Sequence, residues 1–231
     1  AMAGEDWPDL PAVGDKDSTA VAAAIHALDR VYEGQAFNSL YMMGGKFGCL
    51  RSFVLQGYQY GYGEIHPFSV AAILQVARAR PGQRFCDLGS GTGKVVVLAK
   101  LLGLDATGIE LIEDRWEVSC QALDRLREEH DIDCHEGIRF LHGSVLDIDF
   151  TDADIVFSTN LLWPAKLHAE VCRKMQQMPR GSILVQNKEV DVSGFAKLAE
   201  LQLPTNWSVE QTYYVHVVTG APSSCSSSSG S

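Results

Sequence analysis

Long apolar runs and internal repeats are both missing from this sequence of 231 residues. No apolar stretch approaches the roughly 20 residues that a helix needs to cross a bilayer, so we expect no membrane span. The first residues lack a basic stretch followed by an apolar one, and we expect no secretory signal there. The 46% of apolar residues excludes a wholly disordered chain and predicts a packed globular protein.

The six cysteines of the chain follow no recognisable metal-binding pattern. No two cysteines form a Cys-x-x-Cys pair, and none has a histidine at the spacing that a zinc site needs. We therefore predict no metal site, and free thiols in a reducing compartment. Cys86 lies in an apolar strand pattern, where a buried thiol is the ordinary interpretation.

Positive charge is short as well, since 19 Lys and Arg residues face 29 Asp and Glu residues, for a net charge of −10. This balance argues against a broad nucleic-acid-binding surface, and no lysine-rich run is present. An acidic chain suits a basic protein partner. We expect little or no autonomous binding to DNA.

The chain divides into three predicted parts. Residues 1–66 hold a loose start, an amphipathic helix that begins after the Ser18 cap, and a Gly- and Tyr-rich segment over residues 34–64. Residues 67–219 form the core, opened by a helix that starts at Pro67. Residues 220–231 form a disordered Ser- and Gly-rich tail.

Strand and helix patterns alternate through the core, which predicts an α/β fold with a doubly wound, mostly parallel sheet. The alternation predicts strands at 84–88, 106–110, 138–142, 154–158 and 182–186, with helices at 94–102, 113–129 and 164–177. Residues 207–219 alternate like an antiparallel strand at the edge of the sheet.

A glycine loop follows the first of these strands, with the sequence Asp87-Leu88-Gly89-Ser90-Gly91-Thr92-Gly93-Lys94. Glycines permit unusual backbone angles and a close approach of a ligand to the main chain. The spacing lacks the third glycine of the dinucleotide motif, and no Lys-Ser or Lys-Thr pair marks a P-loop. A turn without any ligand and an NAD site remain alternatives at this point.

The next strand ends at Glu110, about 21 residues after Gly89, where a carboxylate can accept both hydroxyls of a ribose. An acid before the glycines and a second acid at this strand end resemble the class I methyltransferases. In order, the segments YGE, DLGSGTGK, GIE, HGSVL, FSTN and W-x5-YYVH resemble the disruptor-of-telomeric-silencing family of histone lysine methyltransferases, which lack a SET domain. The resemblance runs from about residue 60 to residue 216, and the compact size is similar to the kinetoplastid versions.

This resemblance implies a fold of the class I methyltransferase type with a small N-terminal extension, and binding of S-adenosylmethionine with S-adenosylhomocysteine as product. The implied cofactor residues are Tyr62, Glu64, Asp87, Gly89, Ser90, Gly91, Gly93, Lys94, Glu110, Ser144, Val145 and Asn160. Asn160 would also meet the entering lysine, while Trp207 and Tyr214 would wall the lysine channel. Tyr213 is adjacent to Tyr214 on the strand, so one of the two is expected to be plain core.

The implied substrate is a lysine of histone H3 within the nucleosome, and the implied location is the nucleus. We expect a monomer. The sequence departs from the family at Ser144, where an acid is common, at Thr159 and at Trp163. A methyltransferase acting on a small molecule or another protein, and a binding module without turnover, remain alternatives.

Overall fold

The described part of the chain holds five helices and seven strands. The computed structural model describes residues 18–33, 63–130, 136–190 and 192–220. The helices are α1 (Ser18–Val31), α2 (Pro67–Val76), α3 (Lys94–Leu101), α4 (Glu113–His130) and α5 (Ala165–Met175). The strands are β1 (Arg84–Leu88), β2 (Asp105–Glu110), β3 (Ile138–His142), β4 (Ile155–Ser158), β5 (Ile183–Gln186), β6 (Phe195–Leu203) and β7 (Gln211–Val218).

All seven strands lie in one sheet, in the order β3-β2-β1-β4-β5-β7-β6. Strands β1 to β5 run parallel, and β7 is antiparallel to both of its neighbours. The chain leaves β1 toward β2 on one side and returns to β4 on the other side. Ligands of open α/β sheets bind at such a reversal, outside the carboxyl ends of the strands.

The sheet is covered on both faces because alternate residues of a strand point to opposite sides. Phe85 of β1 belongs to a core formed with helices α1 to α4, whereas Cys86 and Leu88 belong to a second core under α5. In the first core the Phe157 ring stacks between Phe85, at a centroid distance of 6.4 Å, and Tyr213, at 5.9 Å. The predicted doubly wound, mostly parallel fold is confirmed.

Helix α1 is tied to the core beside the glycine loop. It contacts α3 and α4, and buries Leu28 and Val31. The hydroxyl of Tyr32, just beyond α1, donates to the carbonyl of Thr92 at 2.7 Å. The predicted division of the chain at residues 66 and 219 stays a prediction. Most of the segment 34–64, Tyr62 included, and nearly all of the tail lie outside the described residues.

The C-terminal strands are arranged differently from the prediction. The edge of the sheet is formed by β6, for which no strand was predicted, and β7 lies inside, between β5 and β6. The central sequence of β6, Lys197-Leu198-Ala199-Glu200-Leu201, consists largely of good helix formers, so intrinsic propensity opposes its conformation. Pairing with β7 along its whole length overrides that propensity, with one bulge between Lys197 and Ala199.

Across the described ranges, helices that combine the length and apolarity for spanning a membrane are absent.

Candidate functional site

The glycine loop turns sharply between β1 and α3. Gly89, Gly91 and Gly93 have φ angles of 79°, 57° and 86°, a left-handed region that other residues rarely adopt. Gly93 is also fixed by space, because a methyl group there would meet the ring of Phe140 at 2.6 Å. The loop is held to the neighbouring strand by the N–H groups of Gly89 and Ser90, which donate to the carbonyl of Ile109 at 2.8 and 3.0 Å.

Two buried acids lie below this loop. The carboxylate of Glu110 accepts from the N–H of Gly91 at 2.7 Å and from the N–H of Ile112 at 2.8 Å. Asp87 is 3% exposed, and burial raises its pKa well above the usual range, with the nearby Glu110 acting in the same direction. An acid held in this state gains stability from a cationic ligand, because the ligand compensates for the lost hydration of the carboxylate.

A short segment ending at α2 covers the loop from above. Glu64 forms a 2.7 Å ion pair with Lys94, the first residue of α3. The backbone of Glu64 is bonded in both directions to Asn206, and Ile65 forms a β-bridge with Thr205. The turn between β6 and β7 therefore holds the covering segment in place.

Trp207 continues this turn and packs on the covering segment. Gly63 has no side chain at the point of contact, and any side chain there would overlap the Trp207 ring. The indole N–H donates to Gln211 at 3.1 Å, which fixes the ring orientation. Trp207 is 39% exposed, so one part of the ring faces outward.

A cavity of about 350 Å³ lies between the loop, the covering segment and the residues that follow β4. Its lining includes seven of the predicted site residues: Glu64, Asp87, Gly89, Ser90, Gly91, Lys94 and Trp207. It also includes Phe157 and four residues after β4, which are Thr159, Leu161, Leu162 and Trp163. The volume lies within the range of small-molecule sites, about 300–1,000 Å³.

Other predicted site residues lie outside this lining. Glu110 supports the loop from beneath, and Gly93 is the last glycine of the loop, packed against Phe140. Ser144 lies in the turn after β3, where its hydroxyl accepts from the N–H of Leu146 at 3.1 Å. Val145 is buried, and its carbonyl accepts from the ammonium of Lys174 at 3.2 Å.

Asn160 requires a correction of its expected contacts. Its side chain has no exposed surface and is turned into the fold rather than into the cavity. The amide oxygen accepts from the backbone N–H groups of Asn187 and Lys188 at 3.0 and 3.1 Å, and the amide nitrogen donates to Gln186 at 2.9 Å. Asn160 therefore joins the carboxyl ends of β4 and β5, and both lone pairs of its oxygen are already used.

The tyrosine pair on β7 requires a second correction. Tyr214 points to the α5 side of the sheet, where it lies beside His216 and under the ammonium of Lys197, 5.4 Å from the ring centre. Tyr213 points to the side of Asp87, and its hydroxyl lies 3.3 Å from the hydroxyl of Thr159 in the cavity wall. Tyr213, and not Tyr214, therefore contacts a residue of the cavity wall.

Sequence reasoning missed other residues of the wall, among them Leu161 and Leu162. They are 43% and 42% exposed although both are large and apolar. The signal that could have found them is their position, since they follow directly on a buried strand whose carboxyl end faces the glycine loop.

The fold and the glycine loop define a class of protein. A putative RNA methyltransferase from Pyrococcus horikoshii has a similar fold, with a TM-score of 0.53 and 13% identity over 85% of this chain and 98% of that one. An RNA methyltransferase from Salinibacter ruber, solved with S-adenosyl-L-homocysteine, gives a TM-score of 0.51 and 21% identity over 67% of this chain and 94% of that one. The fold is that of the class I methyltransferases.

Within that class, residues 50–217 match the family described as histone methylation protein DOT1, and the chain belongs to this family. A relative from Gibberella zeae, named histone-lysine N-methyltransferase, H3 lysine-79 specific, is 29% identical over 145 residues. The match covers 57% of this chain and 29% of the relative, so the chain spans under a third of that protein's length.

Proposed function

We propose that this chain transfers a methyl group from S-adenosylmethionine to a lysine side chain of histone H3. One observation carries the proposal: a single cavity gathers the glycine loop, the buried Asp87, the Glu64–Lys94 pair and Trp207. These residues belong to the segments that link the chain to its family, and the Gibberella zeae relative bears the name of this activity.

The residues present fit the cofactor. S-adenosylmethionine is cationic at its amino group and at its sulfonium, and Asp87 and Glu64 line the cavity with acidic groups. Gly89 and Gly91 have no side chain, so a ligand can approach the loop backbone closely. Lys94, at the start of α3, offers a cation for the cofactor carboxylate.

Each cofactor contact has a proposed residue. Asp87 holds the amino-acid end, Glu110 the ribose hydroxyls, and Tyr62 with Glu64 covers the methionine part. Glu110 can serve the ribose while keeping its two backbone partners, because each carboxylate oxygen has two acceptor positions. Ser144 and Val145 hold the adenine, and the Ser144 hydroxyl keeps a second lone pair for the adenine amino group.

When bound, the cofactor supplies an activated methyl group on sulfur, so the protein need only align a neutral amine with it. Leu161, Leu162 and Trp207 form an apolar wall that removes water from the lysine stem. Loss of that water disfavours the ammonium form and lowers the pKa of the lysine from about 10.4. The proton leaves to solvent along the channel.

The corrected geometry changes two proposed roles. Tyr213 replaces Tyr214 as the tyrosine of the channel, because its hydroxyl meets Thr159 in the cavity wall. Asn160 becomes a positioning residue that fixes the turn after β4, and with it Thr159 and Leu161, against β5. Trp207 keeps its proposed place in the wall.

The ribose contact has a direct test. Calorimetry should compare S-adenosylhomocysteine with its 2′-deoxyribose analogue on the wild type and on Glu110→Gln. If Glu110 binds the ribose, loss of the hydroxyl weakens binding to the wild type by about 1.5–3 kcal/mol, and weakens binding to the variant much less. An equal loss on both proteins refutes the contact.

The substrate is tested by methyl transfer to intact nucleosomes, free histones and a panel of small amines, with mass spectrometry of histone H3. Transfer to an H3 lysine supports the proposal. Transfer confined to small amines or to another protein supports the rival methyltransferase, and cofactor binding without transfer to any acceptor supports the binding module.

The acidic charge of the chain bears on its partner. With a net charge of −10, we propose that it acts in the nucleus as a monomer on the histone surface and binds naked DNA weakly. Binding to free duplex DNA should be weak at physiological salt. A tight complex with a steep salt dependence contradicts this part of the proposal.

A further inference from the structure

A row of hydrogen bonds runs from the carboxyl end of β4 to helix α5. It begins at Asn160, whose amide nitrogen donates to the side-chain oxygen of Gln186 at 2.9 Å. The Gln186 nitrogen lies 3.4 Å from Nε2 of His168 on α5, and the same Nε2 lies 3.5 Å from Sγ of Cys172. Asn160 and Gln186 are buried, whereas His168 reaches the surface.

The direction of the bonds from Asn160 through Gln186 to His168 is set at Asn160. Its oxygen accepts from two backbone N–H groups, those of Asn187 and Lys188, so its nitrogen must face Gln186. Gln186 therefore turns its oxygen to Asn160 and its amino group to His168. Nε2 of His168 must then be an acceptor, which requires a neutral imidazole with its proton on Nδ1.

The surroundings of His168 favour this neutral form. Burial, followed by the positive charge of Lys188, lowers the pKa of His168 below its usual value of 6.5. On its own helix it faces Cys172, and the charged pair Lys166–Glu170 lies on the same helix. From β7, Tyr214 lies opposite Gln186 in the strand register, with His216 two residues further on.

We propose that His168 is a positioning residue for methyl transfer, which holds the turn after β4 in place only while its ring is neutral. A proton on Nε2 would point at the amino group of Gln186, donor against donor. Gln186 cannot reverse, because its amino group would then meet that of Asn160, and Asn160 cannot reverse because of its two backbone partners. Acid therefore breaks the contact between Gln186 and His168, and this loosens the support that Gln186 gives to Asn160 and to the turn that carries Thr159 and Leu161 into the cavity.

This inference rests on the proposed function, and it predicts the direction of the pH dependence. The neutral ring is the competent form, so the turn is ordered above the pKa of His168 and is lost as pH falls through it. Methyl transfer also falls in acid because the substrate lysine is protonated. That loss is common to all variants and cancels in a ratio of rates.

Two substitutions imitate the neutral and the protonated ring of His168. His168→Gln keeps an acceptor oxygen toward Gln186 but cannot be protonated, and His168→Lys offers only donors. Because the pKa of His168 lies below its usual 6.5, the ratio of wild-type rate to His168→Gln rate should stay level above about pH 7 and fall in more acidic solution, approaching tenfold per pH unit below the pKa. His168→Lys should be slow throughout. His26→Gln, an exposed histidine on α1, is the control, and its ratio to the wild type should stay flat.

A second readout does not depend on activity. The side-chain amide signals of Asn160 and the backbone N–H signals of Asn187 and Lys188 should titrate together by NMR in the wild type, and stay constant in His168→Gln. If these signals titrate but no variant transfers methyl, the row stands and the proposed function fails. If methyl is transferred but the rate ratio is flat and the signals do not move, or if His168→Lys matches the wild type, the inference is overturned.

Discussion

Removal of Glu110 should loosen the ligand-free fold as well as weaken cofactor binding. The carboxylate accepts from the N–H groups of Gly91 and Ile112, at 2.7 and 2.8 Å. A hydrogen bond to a charged group contributes about 1.5–3 kcal/mol. The bond to Gly91 is buried, so Glu110→Ala leaves that N–H without a partner, whereas water can replace the carboxylate at the partly buried Ile112.

One effect works in the opposite direction. Glu110 lies close enough to Asp87 to raise its pKa, so its removal relieves an unfavourable contact between two acids. The net cost of Glu110→Ala is then about 1–3 kcal/mol. For a domain of this size, 1 kcal/mol lowers Tm by about 2–4 °C, so the expected fall is roughly 2–12 °C.

Thermal unfolding without ligand, followed by circular dichroism, measures this shift. Glu110→Gln should also be destabilised, because its amide must turn a donor toward one of the two N–H donors. Glu117→Ala, at an exposed position in the second turn of α4, is the control and should change Tm little. A Tm unchanged in both Glu110 variants would refute the role assigned to this carboxylate in the loop.

Three further predictions use other contacts of the site. Asp87→Asn should stabilise the ligand-free protein at neutral pH while weakening S-adenosylmethionine binding. Because the pKa of Asp87 is raised, the wild type loses stability as pH rises above the usual 3.8. The stability gained by the substitution should therefore shrink as pH falls toward 3.8. Unfolding in urea at several pH values, with calorimetry of the cofactor, checks both effects. Gly93→Ala should lower the free energy of unfolding by about 2–5 kcal/mol, from about 1–2 for the left-handed backbone and 1–3 for overpacking. Gly82→Ala is matched in φ, at 80°, but has open space, so urea unfolding should show only the backbone cost. Tyr213→Phe removes the hydroxyl that contacts Thr159 and should change the ratio of mono-, di- and trimethyl products in mass spectra of H3. Tyr214→Phe is the control and should leave this ratio unchanged. The reverse result would show that Tyr214, and not Tyr213, is the tyrosine of the channel.

The sequence predicted those parts of the fold that depend on local pattern. The alternation of strands and helices, the loop from Asp87 to Lys94 and the second acid at Glu110 are continuous or regularly spaced in the chain, and the structure has them at nearly the predicted bounds. What the sequence could not decide was direction. Tyr213 and Tyr214 are adjacent, so one faces each side of the sheet, and only the register of β7 on β5 determines which.

The contacts of Asn160 follow a rule that the sequence does contain. Strands β4 and β5 are apolar until their last residues, Ser158 and Gln186. Polar residues also follow each strand, with Asn160 after β4 and Asn187 after β5. Parallel strands end at the same edge of a sheet, so these side chains had to meet there. Buried polar groups cost stability unless they bond to each other, and two atoms of this cluster, Oγ of Ser158 and Oδ1 of Asn187, still lack a partner within the described structure. Polar residues here are explained by the cavity beside them, whose wall the cluster holds in place through the turn after β4.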